Sequence, residues 1–387
     1  MKAATAPLPA ERVPLEHAPW RIAAADTLSA VDLPPFDRSA MDGFAVRADD
    51  VRPGEPLRLA GAVAAGEEAR APVEPGSAVA VTTGAALPSG SDAILRVEDA
   101  EAADGRVTPT ASVRRGLHVR YRGEDVRAGD VLAPAGARLD VAKITALASA
   151  GVGEVAVHRR ARVHVLATGN ELLPVGAPPR PGRIHDSNRL TLRLLAEHVG
   201  ADAIIHPVVP DDPDATRAAV EAGLAGDVLA VTGGVSVGEH DHVKAAFEAC
   251  GVAEVFWRVR LKPGKPLWFG RRGGTVVFGL PGNPLSTLAC FMLFVGPALR
   301  RMHGEADARP RFSRATLGAP AAPDDGRTTL LTAVIAPGPD GGLVATPTER
   351  QGSHLSGTLA GTQGFVVARY RGGAMPAGAA VDVLLLP

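Results

Sequence analysis

DVLAVTGGVSVGEHDHV, residues 227–243, passes from an apolar run to a glycine-rich turn and on to a helix start. Val228 to Val231 is short enough for a strand buried on both faces. It breaks into Thr232, Gly233 and Gly234, then Ser236, Gly238 and the cluster Glu239 to His242. Glycines at the carboxyl end of a buried strand let a ligand approach backbone N–H groups that a Cβ would screen. Asp241 stands where a helix over about Val243 to Ala249 should begin. The plain alternative is a β-α turn with an aspartate cap.

Two similar turns flank this one. Arg162 to Thr168 (RVHVLAT) leads into Gly169-Asn170-Glu171, and Thr275 to Leu280 (TVVFGL) leads into Pro281-Gly282-Asn283-Pro284 and a helical pattern to about Arg300. Helical periodicity recurs at Asn188 to Val199 and Pro213 to Leu224, with apolar runs at Ala203 to Val209 and Glu254 to Val259. Strands alternating with helices predict a mainly parallel sheet covered on both faces. Ligands of such sheets bind beyond the carboxyl ends of the strands, so all three loops belong to one edge.

A chain of 387 residues exceeds one ordinary core, so two to four domains are expected. Its 41 basic and 42 acidic residues nearly cancel, which argues against a nucleic-acid surface but permits a local anion pocket. Cys250 and Cys290 lie in helical patterns without another Cys, or a His at metal spacing, nearby, and read as buried apolar thiols. The first nine residues combine no basic region with an apolar core, and no apolar run approaches the about 20 residues of a spanning helix. The expectation is a soluble, cytoplasmic protein.

Outside the centre the pattern changes. Residues to about Leu33 read as one or two amphipathic helices interrupted by prolines. A loop follows, Pro34 to Ala45, with Asp37, Arg38 and Asp42. From Phe44 to about Val126, short runs (Leu57 to Val63, Ser77 to Thr82, Ala93 to Val97) alternate with Gly and Pro turns, as in a small β-domain. Val141 to Ala150 is helical. Beyond Arg301 strands and turns return, including Thr328 to Ile335 and Val381 to Leu386.

FDRSAMDGFA, TTGAALPSGSDAI, RYRGED, TGNELL, GRIHDSN, TGGVSVGEHDHV, LKPGKP and LPGNPLST occur here in one order, from about Phe36 to Ala289. Together they resemble the molybdopterin molybdenumtransferase family, with a weaker echo at Gln351 to Gly357 (QGSHLSG). Phe44, Asn170 and His185 depart from the more usual residues, and none of these changes removes a carboxylate or lysine that the chemistry needs. The resemblance implies an elongated region from 1–43 and 127–157, an inserted β-domain at 44–126, an α/β/α molybdopterin-binding domain at 158–303 and a β-barrel-like domain at 304–387.

It also implies a reaction. Adenylylated molybdopterin and molybdate are the expected substrates, AMP is released, and molybdenum is left on the dithiolene sulfurs. Mg2+ typically uses one or two carboxylates beside phosphate oxygens and water; Glu171 and Asp241 are the candidates, with Asp186 a third. Lys262 and Lys265 would face charge that develops on the phosphoryl leaving group. Gly233, Gly234, Ser236, Gly238, Pro281 and Pro284 would line the pterin or phosphate site. By resemblance Asp42 and Asp125 belong to a cleft shared across a homodimer, Thr82 lies in a neighbouring substrate-binding loop, and Arg327, Ser353 and His354 are offered for molybdate. Asp42 can equally serve its own turn. His240 and His242 lack a third ligand at zinc spacing.

Three other readings remain. One is the preceding enzyme of the pathway, a molybdopterin adenylyltransferase, which is also the expected transient partner; its resemblance would cover only the centre of the chain. The others are a non-catalytic dimeric scaffold and a module that only binds molybdate.

Overall fold

The computed structural model describes residues 4–68, 72–234, 242–324, 326–370 and 373–387. Its central sheet has six strands, in spatial order Asp202–Ile205, Arg162–Ala167, Val228–Thr232, Thr275–Leu280, Trp268–Arg272 and Ala253–Trp257. The first four run parallel, and the two outer strands turn the sheet mixed, since Trp268–Arg272 is antiparallel to both neighbours. The sequence shows why: Gly273 and Gly274 join Trp268–Arg272 to Thr275–Leu280 in a tight hairpin, with Gly273 at φ 57°, a conformation glycine adopts without a Cβ penalty.

Helices cover both faces. On one side Leu192, Leu195 and Ala196 of helix Asn188–His198 pack with Val163, Val165 and Phe278, together with Leu288, Phe291 and Leu299. On the other, Val220 of Pro213–Gly223 and Val243, Ala246 and Phe247 of His242–Ala249 pack on Leu166, Leu229 and Val277. The alternation along each buried strand sends successive side chains to opposite layers. Helix Pro284–Met302 is long and apolar enough by composition to cross a membrane, but its apolar residues form the core of the first layer. A wider turn at Phe291–Val295 interrupts it, as π-bulges do within α-helices. Cys290 is fully buried in this layer and Cys250 is buried in the other.

The amino-terminal segment corrects an expectation. Residues up to Leu33 contain no α-helix among those described: Ala10–Pro14 is a strand, Leu15–His17 one 3-10 turn and Thr27–Leu28 a two-residue strand. Pro7, Pro9, Pro14 and Pro19 deny this stretch a run of N–H donors. Its backbone pairs instead at long range, Ala10–Pro14 with Glu154–His158 and Thr27–Leu28 with Val131–Ala133. A core of Ala18, Ala23, Leu139, Leu147 and Val157 closes this region.

Residues 43–109 form a second six-stranded sheet, ordered Ala93–Arg96, Gly43–Val46, Ser77–Val81, Leu57–Val63, Arg106–Pro109 and Ala100–Ala103. In the last region Thr328–Pro337, Leu343–Pro347, Ser313–Leu317, Ala380–Leu385 and Gly364–Ala368 pair in a ring, because Thr328–Pro337 also pairs with Gly364–Ala368. This is a closed five-stranded barrel, and strand Leu261–Lys262 of the α/β region pairs with it, Lys262 opposite Thr329. That pairing delivers the lysine loop to the barrel.

Candidate active site

The three glycine-rich loops leave the sheet level with one another. Ala167 is paired with Thr232, and Thr232 with Leu280. Just past these ends, the Thr168 N–H donates to the Thr232 carbonyl at 3.1 Å and the Gly233 N–H to that of Leu280 at 3.2 Å. A Cβ on Gly233, which has φ +90°, would stand 2.7 Å from the Thr168 carbonyl oxygen, whereas one on Gly282 would meet nothing nearer than 3.7 Å. Gly234 is closed in by Val243 and the Thr168 hydroxyl. Glycine is therefore required where the first and second loops touch.

Side chains tie the second and third loops together. The buried Thr232 and Thr287 hydroxyls both donate to the Pro281 carbonyl, at 3.3 and 2.6 Å. Asn188, the first residue of its helix, donates from Nδ2 to Thr232 Oγ1 at 3.0 Å and to the Gly282 carbonyl at 2.7 Å. Its role had no separate place in the sequence reading, although it lies within GRIHDSN. Pro284 opens the following helix at a position where a missing N–H costs nothing.

The carboxylates divide. Glu171 is exposed, and its carboxylate lies against Gly169, where an added Cβ would come within 2.4 Å of Oε2. Asp186 is 4% exposed and faces Arg189, whose backbone N–H and guanidinium both donate to it. Arg189 is held in turn by the His206 carbonyl. Asp186, the third magnesium candidate, thus has its charge met by an arginine three residues on. Ser236, Gly238 and Asp241 lie outside the described residues, and those described hold no group of three metal-binding side chains.

Beside the third loop a cleft of about 350 Å³ is lined by Lys262, Lys265, Pro281, Asn283, Arg327 and Ser353, among others. Here the α/β edge and the barrel contribute together. Asn283 Nδ2 donates to Ser353 Oγ at 2.9 Å, and the Leu285 N–H to the Ser353 carbonyl at 3.3 Å. Lys262 lies 3.5 Å from Asp324, which also accepts from Arg327. Asp324 was missed by motif reading because it lies beyond the matched segments. Lys265 makes no ion pair among the described residues. Its loop is fixed from below: Cys290 Sγ approaches the Gly264 carbonyl at 3.8 Å, and burial pushes the thiol up to about 12, so it stays protonated as a donor. The lining cations outnumber the described carboxylates, which suits an anionic ligand.

The remaining candidates do not line this cleft. Asp42 accepts from the Thr83 N–H at 2.6 Å and its hydroxyl at 3.1 Å, so it secures the Thr82-Thr83 loop. Thr82 Oγ1 accepts from the Ala65 N–H at 2.9 Å. Asp125 is exposed in a separate depression with Arg38, Arg120 and Glu124. His354 is not among the residues that line the cleft, although Ser353 beside it is.

Comparison with known proteins agrees along the whole chain. Family models match in three consecutive segments: the MoeA N-terminal region (domain I and II) at residues 1–151, the probable molybdopterin binding domain at 164–301 and the MoeA C-terminal region (domain IV) at 314–386. A molybdopterin molybdenumtransferase of Haemophilus influenzae is 36% identical over 382 residues, covering 97% of this chain and 94% of that one. One from Synechococcus elongatus is 37% identical over 314 residues, 77% of each chain. Among solved structures, the molybdopterin biosynthesis moeA protein of Pyrococcus horikoshii superimposes with TM-score 0.84 at 32% identity, over 99% of this chain and 96% of that chain.

Proposed function

Because the chain belongs to the molybdopterin molybdenumtransferase family, the transferases of molybdenum cofactor biosynthesis, we propose that it takes adenylylated molybdopterin and molybdate and releases AMP with Mg2+ present. The observation that carries this reading is the convergence of Lys262, Lys265, Arg327 and Ser353 in one cleft beside three level strand ends. The glycine loops would take the pterin and phosphates against backbone donors. Arg327 and Ser353 would hold the oxyanion. As the phosphoanhydride breaks, charge grows on the departing AMP phosphate, and Lys265, whose ammonium makes no ion pair among the described residues, would meet it.

Glu171 fits Mg2+ as an exposed carboxylate beside a glycine, with Asp241 the second candidate. Bound there, the ion would neutralise the phosphate oxygens, and one or two protein carboxylates suffice for it. Asp186 is not included, since Arg189 already engages it.

We further propose a homodimer in which Asp42, Thr82 and Asp125 complete a partner's cleft. Their absence from the lining of the lysine cleft supports this, as do exposed apolar side chains on the amino-terminal region: Trp20, Leu28, Phe36, Val131 and Val141 are 46–69% exposed. Two buried free thiols suit a reducing cytoplasm, where the adenylyltransferase would supply substrate. The test is AMP release from adenylylated molybdopterin, with molybdate and Mg2+ each present and absent. Release that needs both supports the reading; release indifferent to molybdate contradicts it.

A further inference from the structure

A second concave site lies at the opposite edge of the central sheet. Its volume is about 530 Å³, and its lining includes Trp20, Arg21, Arg138, Arg160, Arg300 and Arg311. Arg160 lies two residues before strand Arg162–Ala167, and helices Asn188–His198 and Gly296–Met302 end beside it. The site is therefore at the amino ends of the parallel strands, away from the glycine loops.

Five guanidiniums in one pocket of a chain with net charge −1 call for an account. Part is structural. Helix ends favour cations, and Arg300 donates to the carbonyls of Ala308 and Arg309. Arg21 pairs with Glu11 and donates to the His158 carbonyl at 2.8 Å. Glu305, its side chain 7% exposed, faces Arg138 at 3.6 Å and Arg300 at 3.8 Å and also pairs with Arg311. Glu197 at the rim lies 3.7 Å from Arg193. These carboxylates do not exhaust the donors. Among the described residues the Nε atoms of Arg138 and Arg300 are buried without a hydrogen bond, as is Glu305 Oε2, which lies 3.8 Å from Arg300 Nε, and Arg160 has no ion pair. His303 adds no charge, because burial lowers its pKa to about 4.

The rim carries an independent sign. Trp20 is 57% exposed and has φ +68°, a region that bulky L-residues seldom enter without a cause. Its N–H donates to the Leu139 carbonyl at 2.8 Å, and its own carbonyl accepts from Arg138. The ring is thus presented at the mouth of the arginine pocket by a backbone tied to the pocket wall. An exposed indole offers a stacking face, and forked guanidiniums match phosphate oxygens.

We infer that this pocket binds a nucleoside phosphate, with the phosphates toward Arg160, Arg138 and Arg300 and the base on Trp20. The inference does not depend on the reaction assigned to the lysine cleft. It is tested by isothermal titration of the full chain carrying Lys262→Gln and Lys265→Gln, which removes the ammonium groups of that cleft, with ADP and separately with inorganic pyrophosphate. Both ligands should still bind. Adding Arg160→Ala should weaken each by about tenfold, as loss of a charged hydrogen bond does. Adding Trp20→Gly should weaken ADP and leave pyrophosphate unchanged. No heat from either ligand, or affinities indifferent to Arg160→Ala, would overturn the site. Equal loss of both ligands with Trp20→Gly would overturn the stacking of the base.

Discussion

Replacing Gly233 by alanine sets the contact between the first two loops against its neighbour Gly282. At Gly233 two costs combine. The φ of +90° is penalised by about 1–2 kcal/mol in an L-residue. The new Cβ would also sit 2.7 Å from the Thr168 backbone oxygen, which cannot rotate away, and overpacking of that kind costs about 1–3 kcal/mol. Together Gly233→Ala should destabilise by roughly 2–5 kcal/mol. Gly282→Ala has neither problem, its nearest neighbour being 3.7 Å away, and should stay within about 0.5 kcal/mol of the parent. Urea unfolding followed by tryptophan fluorescence reads this, because Trp257 and Trp268 both lie in the central sheet. AMP release should fall in Gly233→Ala even where the protein remains folded, since the loop must move from Thr168. Equal midpoints for the two variants would refute the packing argument.

Asn188→Asp should cost about 1–3 kcal/mol, because it replaces the amide donor to the Gly282 carbonyl with an acceptor, and AMP release should drop with it in a steady-state assay. His303 ties stability to acid: its Nε2 accepts from the Ala161 N–H at 3.0 Å and its folded pKa is lowered from 6.5 to about 4. The unfolded chain therefore binds the extra proton, and stability is full above pH 6.5 and drains away as pH falls towards 4, by roughly 3 kcal/mol in all. Urea midpoints measured across that window should fall more steeply in the parent than in His303→Gln; parallel slopes would refute the assignment. Mixing Asp42→Ala with Lys265→Gln protomers should recover roughly a quarter of parental AMP release, since half the dimers are mixed and each holds one intact cleft. No recovery after full exchange refutes a shared cleft.

The parts of this fold that were legible from sequence are those whose signal is local. Val228–Thr232 and Thr275–Leu280 are apolar runs ending in glycine or proline, and both are strands. Asn188–His198 and Pro213–Gly223 carry helical periodicity and are helices. Ala10–Pro14 was misread because a strand is stabilised by its partner, here some 144 residues away at Glu154–His158, and nothing in its own composition reveals that pairing. The antiparallel hairpin at 268–280 had a local mark, the Gly273-Gly274 pair, that was not used. At the site, motif order singled out Lys262, Lys265 and Ser353 without the geometry joining them, which comes from Lys262 pairing with Thr329 of the barrel. The pairing of Asp186, the third magnesium candidate, with Arg189 was not read from sequence, although Arg189 sits one helical turn on, where an ion pair of this spacing forms readily.

The central claim is that the carboxyl edge of the sheet and the lysine cleft beside it form one catalytic site. The most direct measurement is a magnesium titration of molybdate-dependent AMP release for Lys265→Gln and Glu171→Gln beside the parent. Lys265→Gln should keep the parental magnesium midpoint and turn over about 100-fold more slowly at saturation, as loss of a group that meets transition-state charge does. Glu171→Gln should shift the midpoint to higher magnesium. Parental rates and midpoints in both variants would contradict the account.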